Sequence, residues 1–304
     1  MVRPLERRLQ LVTGKGGTGK TTLVAALALA HAERGRKPLA VELGHRASLA
    51  SVLDVAPIDH VIREVLPGVH ATNLESAHAT HELVRRALPS RVTTRLLRAS
   101  PVRAFLDASP GVVEVAILDR LRYFVDETDF DPILVDGDAT GHTRMLFALH
   151  GVLASLGVAG PVRALLDRTS SLFADPELAA IHLTALPTSL AIEETLELWD
   201  ELSAEHHVAL GHVLLGRVEG RDAASIDDEE LARLERAAGE TALASALGLL
   251  RVDRERGRRA SDCLRQLAAH GMDARAIDEI DTRRLTADSL RAMGRALLDA
   301  GGTR

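Results

Sequence analysis

Short apolar runs recur along the chain, each bounded by glycine, proline or charge and separated by longer stretches of helical periodicity. The first, Leu9 to Thr13, breaks into a glycine-rich segment and resumes as an Ala/Leu helix from Thr21 to about Arg34, closed by Gly35. Pro38 to Leu43, Val69 to Leu74 and Pro132 to Asp136 read as further buried strands. Val208 to Leu215 and Ala274 to Ile280 continue the series. Strands alternating with helices predict an α/β fold: a doubly wound, mostly parallel sheet whose ligand crevice lies at the carboxyl ends of its strands.

The intervening segments are helical. From His78 to about Asp126, amphipathic patterns broken at Pro89, Pro101 and Pro110-Gly111 predict an inserted helical subdomain, placed at about 76–128, with a second insertion at 145–178. Met145 to Val162 carries no formal charge, but glycines and Pro161 interrupt it. It is shorter than the ~20 apolar residues of a membrane span, so it reads as a buried helix and a loop. Past Val218 the pattern predicts one or two helices over Asp222 to Leu247, a mixed-charge loop from Arg251 to Arg259, and a closing helix from Leu285 to Leu298. That last helix puts Leu290, Met293, Leu297 and Leu298 on one face, read as packing on the sheet rather than as a membrane tether. The 304 residues are taken as a single domain with these insertions.

The glycine-rich segment, GKGGTGKT from Gly14 to Thr21, fits the phosphate-binding pattern G-x-x-x-x-G-K-[ST] between a strand and a helix. Gly14, Gly16, Gly17 and Gly19 let backbone N–H groups of the loop turn inward, and the helix start at Lys20, Thr21 and Thr22 adds its dipole. Lys20 would reach the β- and γ-phosphates, and Thr21 would ligate Mg²⁺ opposite Asp136, the carboxylate closing the Pro132 strand. Thr18 completes the loop. Lysine occurs only at positions 15, 20 and 37 of a chain rich in arginine. Two of the three therefore fall in this loop, where a compact ammonium is not interchangeable with guanidinium.

A formal charge of −6 gives no global field for nucleic acid, and 2% aromatic content leaves few stacking platforms for single strands. No nucleic-acid partner is expected. The single cysteine, Cys263, excludes an intramolecular disulfide framework and suits a cytoplasmic protein. The opening MVRPLERR has no apolar signal core.

Further features add up to a family resemblance. Lys15 directly after Gly14 resembles the deviant Walker A loop of the ParA and MinD partitioning ATPases, nitrogenase iron protein and ArsA. The run Asp136-Gly137-Asp138-Ala139-Thr140-Gly141-His142 resembles the switch II signature of the ArsA and tail-anchored-protein-targeting ATPases, with Ala139 in place of proline. Pro110-Gly111 through Glu114, and Ala185-Leu186-Pro187 through Leu198, are similar to later segments of the same family. The resemblance implies a P-loop NTPase using ATP and Mg²⁺, with Lys15 crossing to a partner's nucleotide in a homodimer or a heterodimer with a related ATPase. The client would be a protein or membrane-associated partner bound by the helical subdomain.

Three positions depart from the family pattern. Gly44 stands where the family has the aspartate that orients attacking water, leaving Glu42 or Asp138 as substitutes. Gly216 replaces an asparagine that reads adenine, and one cysteine cannot build an arsenite-binding thiolate cluster. A low-turnover regulatory subunit and a positioning ATPase of the ParA/MinD kind remain the alternatives.

Overall fold

The structure, a computed structural model, describes residues 2–44, 47–87, 111–137, 164, 167–169, 171–204, 208–219, 223–238, 242–280 and 285–300. Eight strands form one sheet: β1 (Leu9–Gly14), β2 (Leu39–Leu43), β3 (Arg63–Leu66), β4 (Val69–Leu74), β5 (Ile133–Asp136), β6 (Ala179–Ala185), β7 (Leu210–Val218) and β8 (Ala274–Asp278). Their spatial order is β3-β4-β2-β5-β1-β6-β7-β8. All neighbours run parallel except β3 with β4. β3 is a short edge strand with half its residues exposed, and periodicity gives no sign of it.

Side-chain alternation sorts the sheet into two faces. Leu9, Leu11, Ile133, Val135, Ile181, Leu183, Val213 and Leu215 point into one hydrophobic cluster, together with Leu121, Phe124 and Phe173. Val12, Leu134 and Leu214 point to the other. Against the first face lie α3 (Ser76–Ala87), α4 (Val112–Glu127), α5 (Ser189–Ala204) and part of α7 (Ala242–Ala269). α4 starts where Glu114 accepts the Gly111 N–H at 2.8 Å, so the glutamate of the Pro-Gly segment serves to cap a helix.

The second face is covered by α1 (Lys20–Glu33) and α8 (Ala287–Asp299), with α2 (Ser48–Leu53) beside them. Every residue of α1 from Leu23 to His31 is buried, which its unbroken Leu/Ala run allows. α8 lies beside α1 in this layer. A Cβ on Gly294 would stand 2.2 Å from the Ala26 carbonyl oxygen, so only glycine lets the two backbones approach this closely.

One sequence expectation is overturned. Arg251 to Arg259 is not a loop but the middle of α7, which runs unbroken through 28 residues. Leu247, Arg254, Gly257, Ala260, Cys263 and Leu267 form its buried stripe. Arg254 is able to occupy a core position because it pairs with Asp228 on α6 (Asp228–Ala238) and donates to the Ile226 carbonyl at 2.6 Å. Residues 88–110 and most of 138–170, which hold much of the expected insertions, lie outside the described residues. Among the described residues, no helix is long and apolar enough to cross a membrane.

Candidate functional site

The carboxyl ends of β2, β5 and β7 and the loop after β1 open onto one cleft of about 300 Å³. Gly14 (φ 147°), Gly17 (φ 80°) and Gly19 (φ 93°) hold backbone conformations that side chains resist, and Gly19 sits immediately before α1. Gly14 is also a contact point: a Cβ there would meet the Thr184 carbonyl oxygen at 2.4 Å. Thr18, buried, donates to the Lys15 carbonyl at 2.8 Å and lies 2.6 Å from the Thr184 hydroxyl. The loop is thereby fastened to β6. Around Gly16, Gly17 and Gly19 nothing would lie within 4 Å of an added Cβ, which leaves room over the loop for a ligand.

Lys20 folds back over this loop, its ammonium donating to the Gly14 and Lys15 carbonyls at 3.0 Å each. The Thr21 hydroxyl donates to Asp136 Oδ2 at 2.6 Å, joining the first turn of α1 to the end of β5. A hydroxyl and a carboxylate brought together beside a phosphate-binding loop are hard oxygen donors, the set that Mg²⁺ accepts. Thr22 lines the same cleft.

Glu42 is 2% exposed and faces the cleft from β2. Its Oε1 accepts the N–H groups of Ser48 (2.7 Å) and Leu49 (3.1 Å), capping α2, and Asn73 donates to Oε2 at 3.3 Å. Burial raises its pKa, with the two backbone hydrogen bonds and Asn73 opposing. Lys15 stands at the rim, its ammonium 2.6 Å from Glu194 Oε1 on α5. Asp138 lies outside the described residues, as do His142 and the residues between them.

The structure thus gathers Gly14 to Thr22, Glu42 and Asp136 around one cleft. Three features escaped the sequence reading: the Glu194 partner of Lys15, the hydrogen bonds that engage Glu42, and Arg217, which lines the cleft from β7. Glu194 lies in the Glu193-Glu194-Thr195 run already noted for its family resemblance, but its pairing spans 179 residues and no local pattern encodes it.

This geometry agrees with comparison to known proteins. The family model described as anion-transporting ATPase matches residues 7–156, from the strand before the loop to beyond the Asp136 carboxylate. The chain belongs to the ArsA ATPase family. This ArsA-family chain is 32% identical to ATPase BagA of Mycobacterium tuberculosis over 222 residues, covering 69% of this chain and 65% of that relative. It is 27% identical to the arsenical pump-driving ATPase of Escherichia coli over 237 residues, covering 69% of this chain and 40% of that relative. It is also 26% identical to ATPase GET3C of Arabidopsis thaliana over 169 residues, covering 49% and 43%. The ArsA-family chain therefore spans just under two thirds of BagA and less than half of the other two.

Proposed function

We propose that this chain is a Mg²⁺-dependent ATPase that works as a nucleotide-driven dimeric switch on a protein or membrane-associated client. The observation that carries the reading is the Thr21–Asp136 contact at 2.6 Å beside a loop over which Lys20 is already folded. Loop amides and Lys20 would bind the phosphate chain and stabilise charge on the transferring phosphoryl group. Thr21 and Asp136 would hold Mg²⁺, which supplies charge neutralisation at the β- and γ-oxygens when bound.

Glu42 is proposed as the residue that orients water, since its raised proton affinity suits a proton acceptor and it faces the cleft. Lys15 is proposed to act in a partner's site. It must first leave Glu194, which is a small obstacle because an exposed ion pair is worth about 0–1 kcal/mol. One observation favours the low-turnover regulatory reading instead. The Glu42 carboxylate is engaged by three donors, so it must give one up before it touches water.

Phosphate release from Mg²⁺-ATP, measured while oligomeric state is followed, tests both readings. Turnover is expected to rise with protein concentration and to fall by about 100-fold or more in Lys20→Ala. Comparable loss in Glu42→Gln supports Glu42 as the water-orienting group. If the wild-type chain binds ATP but releases no more phosphate than Lys20→Ala, the regulatory reading replaces the ATPase.

A further inference from the structure

β7 ends in an irregularity. Its pairing with β8 shifts register between Leu215 and Val218, and Arg217 within that bulge has φ 53°, the left-handed region that a long side chain adopts at a cost. Burial along the strand is broken at this residue alone after Leu210: Gly211 to Gly216 and Val218 are buried while Arg217 is exposed. The preceding Gly216 brings bare backbone against the loop, since a Cβ there would lie 3.2 Å from the Thr18 carbonyl oxygen. Arg217 is therefore the side chain that β7 offers to the cleft, which it lines together with Gly17, Gly19 and Thr22. No hydrogen bond or ion pair joins it to another described residue, although Glu279 lies close enough to feel its charge.

The sheet order gives the nucleotide a direction. Asp136 and Glu42 belong to β5 and β2, on one side of β1; Arg217 belongs to β7, on the other. A cation held by Thr21 and Asp136 bridges β- and γ-oxygens, so the terminal phosphates lie toward β5. The nucleoside then extends toward β6 and β7. Guanidinium carries five donors and no acceptor. It can donate to both O6 and N7 of guanine but only to N7 of adenine, whose 6-amino group is itself a donor.

We propose that Arg217 reads the base of the bound nucleotide, so that this chain accepts guanine nucleotides as readily as adenine ones. The proposal rests on the nucleotide-binding reading above and refines it. Calorimetric titration of the full chain with ADP, GDP and inorganic pyrophosphate, each with Mg²⁺, tests it. The wild-type chain is expected to bind GDP at least as tightly as ADP. Arg217→Asn keeps a residue tolerant of positive φ while supplying an acceptor, and it should shift the GDP/ADP preference toward ADP by a factor of about 5 to 100.

Pyrophosphate affinity should stay constant, which a merely structural role would not guarantee. Arg217→Gly, also compatible with the backbone, should weaken GDP without gaining ADP. An unchanged GDP/ADP ratio in both variants, or a parallel loss of pyrophosphate binding that makes Arg217 a phosphate ligand, overturns the inference. A wild-type chain that binds pyrophosphate and neither nucleotide overturns it too. Failure to bind any of the three overturns the nucleotide site itself.

Discussion

The two flanks of the phosphate-binding loop are built on different physics. On the β2/β5 flank, carboxylates meet donors: Asp136 takes the Thr21 hydroxyl, and Glu42 takes two backbone amides and Asn73. On the β6/β7 flank, the loop is held by absence of side chains, with Gly14 against Thr184 and Gly216 against Thr18. Charge appears there only at the rim, as Lys15, Glu194 and Arg217. The difference teaches that one flank is arranged for ionic chemistry and the other for close positioning of backbone.

That contrast can be broken most severely at Gly14. Alanine there combines a strained φ with overlap against a strand carbonyl that has nowhere to move, and should cost about 3 kcal/mol or more. Urea unfolding of Gly14→Ala measures it; a loss under 1 kcal/mol would mean that β6 yields and the flank is not held by shape.

The flanks should also respond oppositely to pH. Beneath the second flank, His182 and His212 stack within β6 and β7 at a centroid distance of 5.6 Å, both buried. Burial holds His182 well below 6.5 and lowers His212 to about 4, with the Arg275 charge adding to the effect on His212. Such groups bind more protons unfolded than folded between those values. Their stabilisation is complete above pH 6.5 and lost as pH falls toward 4. A decline of roughly 2 kcal/mol across that window is expected, flattened in His212→Asn. Denaturant midpoints at several pH values provide the check.

Glu42 on the first flank has the opposite sign. Its folded pKa lies above 4.5, so the folded state binds more protons in that interval and the group's contribution is lost as pH rises through the folded value. Glu42→Gln removes the slope while keeping an acceptor for Ser48 and Leu49. Its stability relative to wild type should therefore improve by about 1 kcal/mol from pH 4 to pH 7. Parallel pH curves for the two proteins would show that the carboxylate is not strained by its burial.

How much of this was legible in the sequence follows from the range of the forces involved. β4 matches its expected span and β1, β2 and β5 match theirs to within a residue, because buried parallel strands are short apolar runs with sharp ends. The loop motif carries its own geometry, since its glycines are needed one by one for backbone reasons. α7 misled because Arg254 fills a core position, so charge interrupts the apolar stripe just where the stripe would have revealed a helix. Only the distant Asp228 makes that arginine acceptable. Glu194 and Arg217 were missed for the same reason: each owes its place to strands far apart in the chain.

The glycine contact between α8 and α1 has a mechanical meaning. α1 begins at Lys20, on the loop itself, and its far end is tied to α8 by Glu33 with Arg295 and by Arg34 with Asp299. With Ala26 against Gly294 in between, the pair has no compressible layer of side chains at its midpoint. Any tilt that a ligand imposes on the start of α1 is passed to the C-terminal helix without slack, as through a splinted rod.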